Sequence, residues 1–245
     1  MIDIPSETER ERVLWWTLMD LSERERHWTL IGARMVELHA LEHGRVLARF
    51  SLDADALADA RVRNPNPVRH LAQILTADGF TLATPGGFGA AHTFVKGEVE
   101  IDLLAPEHLG EASEQARITI PPGHTVEVPG GRQALGRSER VRIRVDRREG
   151  LVPRPTLLGA ILLKARAVDV DVDTPENQRS DLALLLSMVE DAEGLAEELV
   201  GSERSWVRSR GELNDLQGAA WIGLDRSQVR RGVSALRILG GLEPI

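Results

Sequence analysis

At Ile31-Gly32 an apolar run with the period of a strand stops and one with the period of a helix begins, which constrains this chain more than any other feature. His27 to Ile31 reads as a short buried strand, Gly32 breaks it, and Ala33 to Glu42 continues as a helix closed by Gly44. A strand that turns through one glycine into a helix is the start of an α/β unit. Its helix begins with free backbone N–H groups, which favour an anion. The next strand, Leu52 to Ala58, alternates Leu52, Ala54 and Ala56 with Asp53, Asp55 and Leu57.

The same periodicities organise the rest of the chain. Before the βα unit, Pro5 to Arg24 reads as an amphipathic helix with Val13, Leu14, Leu18 and Leu21 inward, capped by Ser6 with Glu9 three residues on. After it, Asn66-Pro67 starts a helix that ends at Gly79. Phe80 to Thr84, His92 to Lys96 and Glu98 to Leu104 read as strands, the last two a hairpin around Gly97. Gly86-Gly87-Phe88-Gly89 fits a hairpin turn or a flap. Shorter strands are expected at Arg117 to Ile120, Thr125 to Val128 and Arg140 to Val145. From Pro155 the pattern is helical: Thr156 to Val168, Arg179 to Glu190, Asp191 to Val200, and further segments from Ser202 and Asp225. The expected organisation is an α/β lobe over 1–150 and an all-α lobe over 151–245, joined by a proline-containing link.

Successive odd positions of a strand share a face, so Asp53 and Asp55 set two carboxylates side by side. They repel unless a cation joins them. Asp102 lies in Glu100-Ile101-Asp102-Leu103-Leu104, an acid in an otherwise apolar strand able to reach the same place. Mg2+ or Mn2+ takes hard oxygen ligands, and carboxylates on neighbouring strands can hold metal ions for phosphoryl transfer. The ordinary account of each acid is a solvated carboxylate at a strand end or sheet edge.

The run Leu30-Ile31-Gly32-Ala33-Arg34-Met35-Val36, followed by Arg49-Phe50-Ser51-Leu52-Asp53-Ala54-Asp55, resembles the polymerase-β-type nucleotidyltransferases. It is most similar to the AbiEii-like branch of abortive-infection and type IV toxin-antitoxin proteins. That pattern is a Gly-Gly or Gly-Ser helix start and then Arg-Ser/Thr-x-Asp-x-Asp. Leu162-Leu163-Lys164-Ala165-Arg166 and Arg179-Ser180-Asp181-Leu182-Ala183-Leu184 match the family's lysine and later acidic motifs in order.

The resemblance implies an α/β nucleotidyltransferase-like lobe with a mixed sheet, followed by a helical lobe, with an NTP bound between them. Asp53, Asp55 and Asp102 would hold Mg2+ or Mn2+, with Asp102 activating the acceptor. Gly32 and Ala33 would offer backbone donors to phosphate, Lys164 would neutralise it, and Asp181 would support the site or assist deprotonation. It further implies toxin activity with a cognate antitoxin as partner. Two departures stand out: Ala33 replaces a small hydroxyl residue or glycine, and Arg34 follows where a smaller residue is usual. The acceptor is unnamed; a tRNA end, a protein hydroxyl and a small molecule all carry the group required.

Charge and composition narrow the partners. The net charge of -8 argues against a general polyanion binder. The 130–155 segment nevertheless carries eight arginines, Arg132, Arg137, Arg140, Arg142, Arg144, Arg147, Arg148 and Arg154, which fit a solvated strand face. Thirty basic residues include only two lysines, Lys96 and Lys164. A lysine kept inside the apolar 157–168 helix therefore singles itself out, either as a compact charge for phosphate or as a snorkelling stem. There is no cysteine, which removes disulfides and thiolate chemistry. No apolar run reaches the length of a membrane span, so a cytoplasmic protein with no membrane partner is expected.

Two other readings fit the sequence. His39-Ala40-Leu41-Glu42-His43 matches the His-x-x-Glu-His pattern of zinc peptidases. A catalytically inert nucleotidyltransferase fold, kept for binding or regulation with its turn eroded at Ala33, is the other. The five tryptophans, Trp15, Trp16, Trp28, Trp206 and Trp221, are expected to pack rather than to stack on bases.

Overall fold

The computed structural model describes residues 1–5, 8–45, 51, 53–83, 91–109, 113–168 and 175–245. Ser6, the Arg49-Phe50 and Leu52 positions of the acidic motif, and the Gly86-Gly87-Phe88-Gly89 cluster lie outside these residues.

In chain order the elements are β1 (Ile2–Ile4), α1 (Glu9–Arg24), β2 (Trp28–Ile31), α2 (Gly32–Glu42), β3 (Asp53–Ala58), α3 (Pro67–Ala77) and β4 (Thr81–Leu82). There follow β5 (Thr93–Lys96), β6 (Val99–Pro106), α4 (Ser113–Ala116), β7 (Val126–Val128), α5 (Gly131–Gly136), β8 (Ser138–Val145) and β9 (Arg148–Pro155). The chain ends in α6 (Leu157–Ala167), α7 (Pro175–Ser187), α8 (Ala192–Glu197), α9 (Glu203–Arg208) and α10 (Arg226–Leu239), with short 3-10 turns at Gly211–Asn214 and Ala219–Trp221. The protein is therefore mixed α/β with a helical C-terminal part.

The larger sheet has the order β2-β3-β6-β5-β4, with β7 also on β6. It is mixed: β2 runs antiparallel to β3, β3 parallel to β6, and β6 antiparallel to β5. The inward faces of the two central strands, Ala54 and Ala56 with Ile101 and Leu103, have no exposed surface, so their other faces carry the polar side chains. The second sheet has the order β1-β8-β9, β1 parallel to β8. α1 lies against it and buries Leu14, Trp15, Leu18, Met19 and Leu21.

Three differences from the sequence reading have physical causes. α1 is capped by Thr8, whose hydroxyl accepts from the Glu11 N–H while Glu11 returns to the Thr8 N–H, so the capping box lies two residues beyond Ser6 and Glu9. Arg117 to Ile120 forms only an isolated bridge, Ile118 to His124. The expected boundary at 150 falls inside β9, whose glycine and two prolines resemble a link. Prolines cost little there because β9 is at the edge of its ladder, where a missing N–H breaks no bond on the open side.

The arginine-rich segment is a largely solvated face whose cations also make specific pairs. Arg140 donates to the Ser22 carbonyl and hydroxyl at the end of α1, Arg144 pairs with Asp3, Arg148 with Asp20, and Arg137 with Glu203 at 2.8 Å. Arg154 is buried and bonded to Glu42. Arg132, Arg140, Arg142 and Arg147 are exposed. These cations tie β8 and β9 to α1, β1 and the helical part. Trp15, Trp28 and Trp221 are buried, as packing requires. No helix of the described residues is long and apolar enough to cross a membrane.

Candidate metal centre

The β3/β6 register aligns Asp53 with Glu100 and Asp55 with Asp102, so four carboxylates occupy one face of two parallel strands. Oxygens of Asp53, Glu100 and Asp102 lie within 4.8 Å of one another, all three residues half-buried. An octahedral shell with bonds of about 2.1 Å has ligand oxygens about 3 to 4 Å apart, so only a small contraction separates these acids from a hard-cation site. Oδ1 of Asp102 is buried with no hydrogen-bond partner, the kind of atom a cation satisfies. The donor set is all oxygen, which fits Mg2+ or Mn2+ rather than a thiophilic metal.

Burial and crowding act on the ionisation of the group in the same direction. Burial pushes the Asp102 carboxyl up from its ordinary value and Asp53 adds to the rise, against hydrogen bonding from Thr93 and the charge of His92. Burial also raises Glu100, with further contributions from Asp102 and Asp53, opposed by Arg10. Bringing acids together in a half-dry place costs free energy that a cation repays.

Asp55 is one register step along, opposite Ile31. Its carboxylate lies against Gly32, where a Cβ added to the glycine would meet Oδ2 at 1.7 Å. Gly32 also has φ +68°, so glycine is needed both for backbone conformation and for the approach of Asp55. α2 starts here, with Ile31 at its N-cap and no side-chain cap on its first N–H groups. Arg34 does not intrude: it is buried, pairs with Glu37 at 2.7 Å and lies over the Trp15 ring.

Of the predicted site residues, the structure thus groups Asp53 and Asp102, sets Asp55 beside them against Gly32, and adds Glu100. Lys164 and Asp181 are brought together with each other. Their charges lie 2.9 Å apart with side chains 4 % exposed, and Lys164 also donates to Gln178. No hydrogen bond or ion pair joins Lys164 to the acids among the described residues.

The zinc-peptidase arrangement does not form. His39 is buried with Nε2 on the Pro155 carbonyl, and burial, aided by the charge of Arg154, lowers its pKa to about 3. Glu42 is paired with Arg154, and Nδ1 of His43 bonds to the His39 carbonyl. The helical part holds a cavity of about 690 Å³ lined by Arg179, Arg210, Glu212 and Trp221, and no predicted site residue lines it. Comparison with protein-family models, with curated proteins and with solved structures gives no match to this chain.

Proposed function

We propose that this chain is a metal-dependent nucleotidyltransferase that moves a nucleoside monophosphate from an NTP to an acceptor hydroxyl. The observation that carries the reading is the cluster of Asp53, Glu100 and Asp102 beside a glycine-started helix whose first N–H groups have no side-chain cap. An anion at that helix start and the carboxylates repel each other, so the two halves of the site are compatible only with a cation between them.

Asp53, Glu100 and Asp102 would hold the cation, and Asp55 would join them from its place against Gly32. Bound there, Mg2+ or Mn2+ supplies Lewis-acid stabilisation of charge on phosphate oxygens. The N–H groups of Gly32 and Ala33 would orient the phosphates. With Oδ1 of Asp102 turned to the cation, the second oxygen of this carboxylate would take the proton of the acceptor hydroxyl. Lys164 is paired with Asp181 and donates to Gln178, so its contribution is first of all to join α6 to α7.

That pairing, with Ala33 in the phosphate turn, favours a second reading in which nucleotide binds without turnover. The AbiEii-like toxin role, an antitoxin and a tRNA acceptor rest on the sequence resemblance alone. The test is calorimetric titration of wild type and Asp53→Asn with each NTP, with and without Mn2+, followed by an assay for labelled nucleotide transfer. Metal-dependent binding lost in the variant, together with transfer, supports the enzyme. Binding without transfer selects the inert reading, and no binding in any condition overturns both.

A further inference from the structure

We propose that the groove along α8 is a docking surface for a basic segment of a partner protein, whose arginine or lysine stems lie on an apolar floor and whose heads meet the surrounding carboxylates. No residue of the metal centre lines it, so the inference does not draw on the metal reading.

From Asp181 to Glu203 the sequence holds seven acids and no Lys, Arg or His. α8, in the middle of this stretch, is a helix of six residues of which none is buried. On one side of it, toward the start of α6 and of β8, lies a hollow of about 500 Å³. Its floor is apolar, with Leu158 and Met188 buried and Leu157 and Leu195 half-buried. Its rim carries the exposed carboxylates of Glu139, Glu190, Asp191 and Glu198, against one basic residue, His43. A second hollow of about 300 Å³ reaches α10, where Ala235 and Ile238 line it together with Arg231. The two hollows share Glu190 and Asp191, so they adjoin as one elongated groove.

The chain does not neutralise these acids itself. Among the described residues the Glu190 and Glu198 carboxylates make no hydrogen bond or ion pair. Arg137 reaches the Glu198 carbonyl at 3.1 Å, yet it gives its charge to Glu203. Arg154 comes within 3.4 Å of Glu139 but is bonded to Glu42. Crowded like charges repel, and stability alone favours interspersed cations such as this chain uses along β8 and β9. A basic partner relieves that repulsion. An apolar floor under a polar rim is the anatomy of a protein interface, and Arg and Lys cover apolar surface with their stems while their heads stay at the rim. Two adjoining hollows suit an occupant longer than one side chain, which an extended segment supplies.

The experiment is selection of short random peptides, displayed in a library, on the immobilised whole chain. The affinities of the selected peptides are then measured by fluorescence anisotropy on wild type, on Glu190→Gln with Glu198→Gln, and on Leu195→Ala, each checked by a melting curve. The expected winners combine Arg or Lys with apolar residues, weaken as salt rises, and lose about 10-fold in affinity in either variant. If Leu195→Ala does not fold, the exposed glutamine pair decides. Selection of no peptide or of peptides without basic residues, or affinity unchanged by the glutamine pair, overturns the proposal. Spermidine bound as tightly as the peptides reduces the groove to a site for small cations and overturns it as well. A wild type that sediments as a dimer, beside a glutamine variant that sediments as a monomer, makes a second copy the occupant and overturns the partner.

Discussion

Gly32 is where backbone conformation, sterics and charge meet, because its positive φ and the Asp55 carboxylate both exclude a side chain. Gly32→Ala is expected to cost about 1 to 3 kcal/mol in chemical denaturation and to weaken Mn2+ binding, since Asp55 has to move. A variant with wild-type stability would show that Asp55 is not held there. Glu25 poses the opposite electrostatic case. Burial pushes its carboxyl up, but hydrogen bonds from His70, at 2.7 Å, and from His27 and the neighbouring N–H groups outweigh this and hold it below its ordinary value. Its stabilisation is therefore present above the unfolded pKa and lost as pH falls through the lower folded one. Glu25→Gln should lower stability by about 2 kcal/mol at neutral pH, with the gap to wild type closing on acidification below the ordinary glutamate range, read from urea melts at several pH values. At this scale the sequence was partly legible. The two-residue period that paired Asp53 with Asp55 applies equally to Glu100 and Asp102, so Glu100 carried a readable signal.

Helix and strand ends tested the sequence reading hardest. Ser6/Glu9 and Thr8/Glu11 both satisfy the spacing of a capping box, and local pattern does not choose between them. The observed Thr8 cap predicts that Thr8→Ala costs about 1 kcal/mol in thermal or urea melts, whereas a substitution at Glu9 that keeps its charge costs almost nothing. β9 was hidden for a different reason: its prolines argue against a central strand, and edge position is a property of the sheet rather than of the segment. The helices were easier, since α3, α6 and α10 announce themselves by caps and apolar period, each with a capping side chain from Asn66, Thr156 or Asp225. What the pattern of α6 and α7 did not convey is that Lys164 and Asp181 neutralise each other inside it. Lys164→Met alone leaves Asp181 buried with its charge less compensated and should cost about 3 to 5 kcal/mol, while Lys164→Met with Asp181→Leu should recover much of the loss. Equal destabilisation in the single and double variants would mean that the pair is not what joins the helices.

The molecule as a whole couples a half-dry acidic face to a core shared by two sheets and a helical part, with Arg137 on Glu203 and His39 on Pro155 crossing between them. Cation binding at the acids should therefore register in global stability. Without metal, the raised carboxyls of Glu100 and Asp102 contribute stability that is fully present below their unfolded pKa values and is lost as pH rises through the folded ones. A divalent cation binds the deprotonated carboxylates, so it opposes that loss, and its effect should grow as pH rises toward neutrality. At a hundredfold excess over the dissociation constant the gain is about 2.7 kcal/mol, which for a chain of this size is a rise of about 5 to 10 °C in Tm. Melting curves with and without Mn2+ across acidic to neutral pH measure it directly. A shift that grows with pH in wild type and vanishes in Asp53→Asn places the cation at the cluster. A shift independent of pH, or retained in Asp53→Asn, puts the cation elsewhere and removes the physical basis for nucleotidyl transfer at these strands.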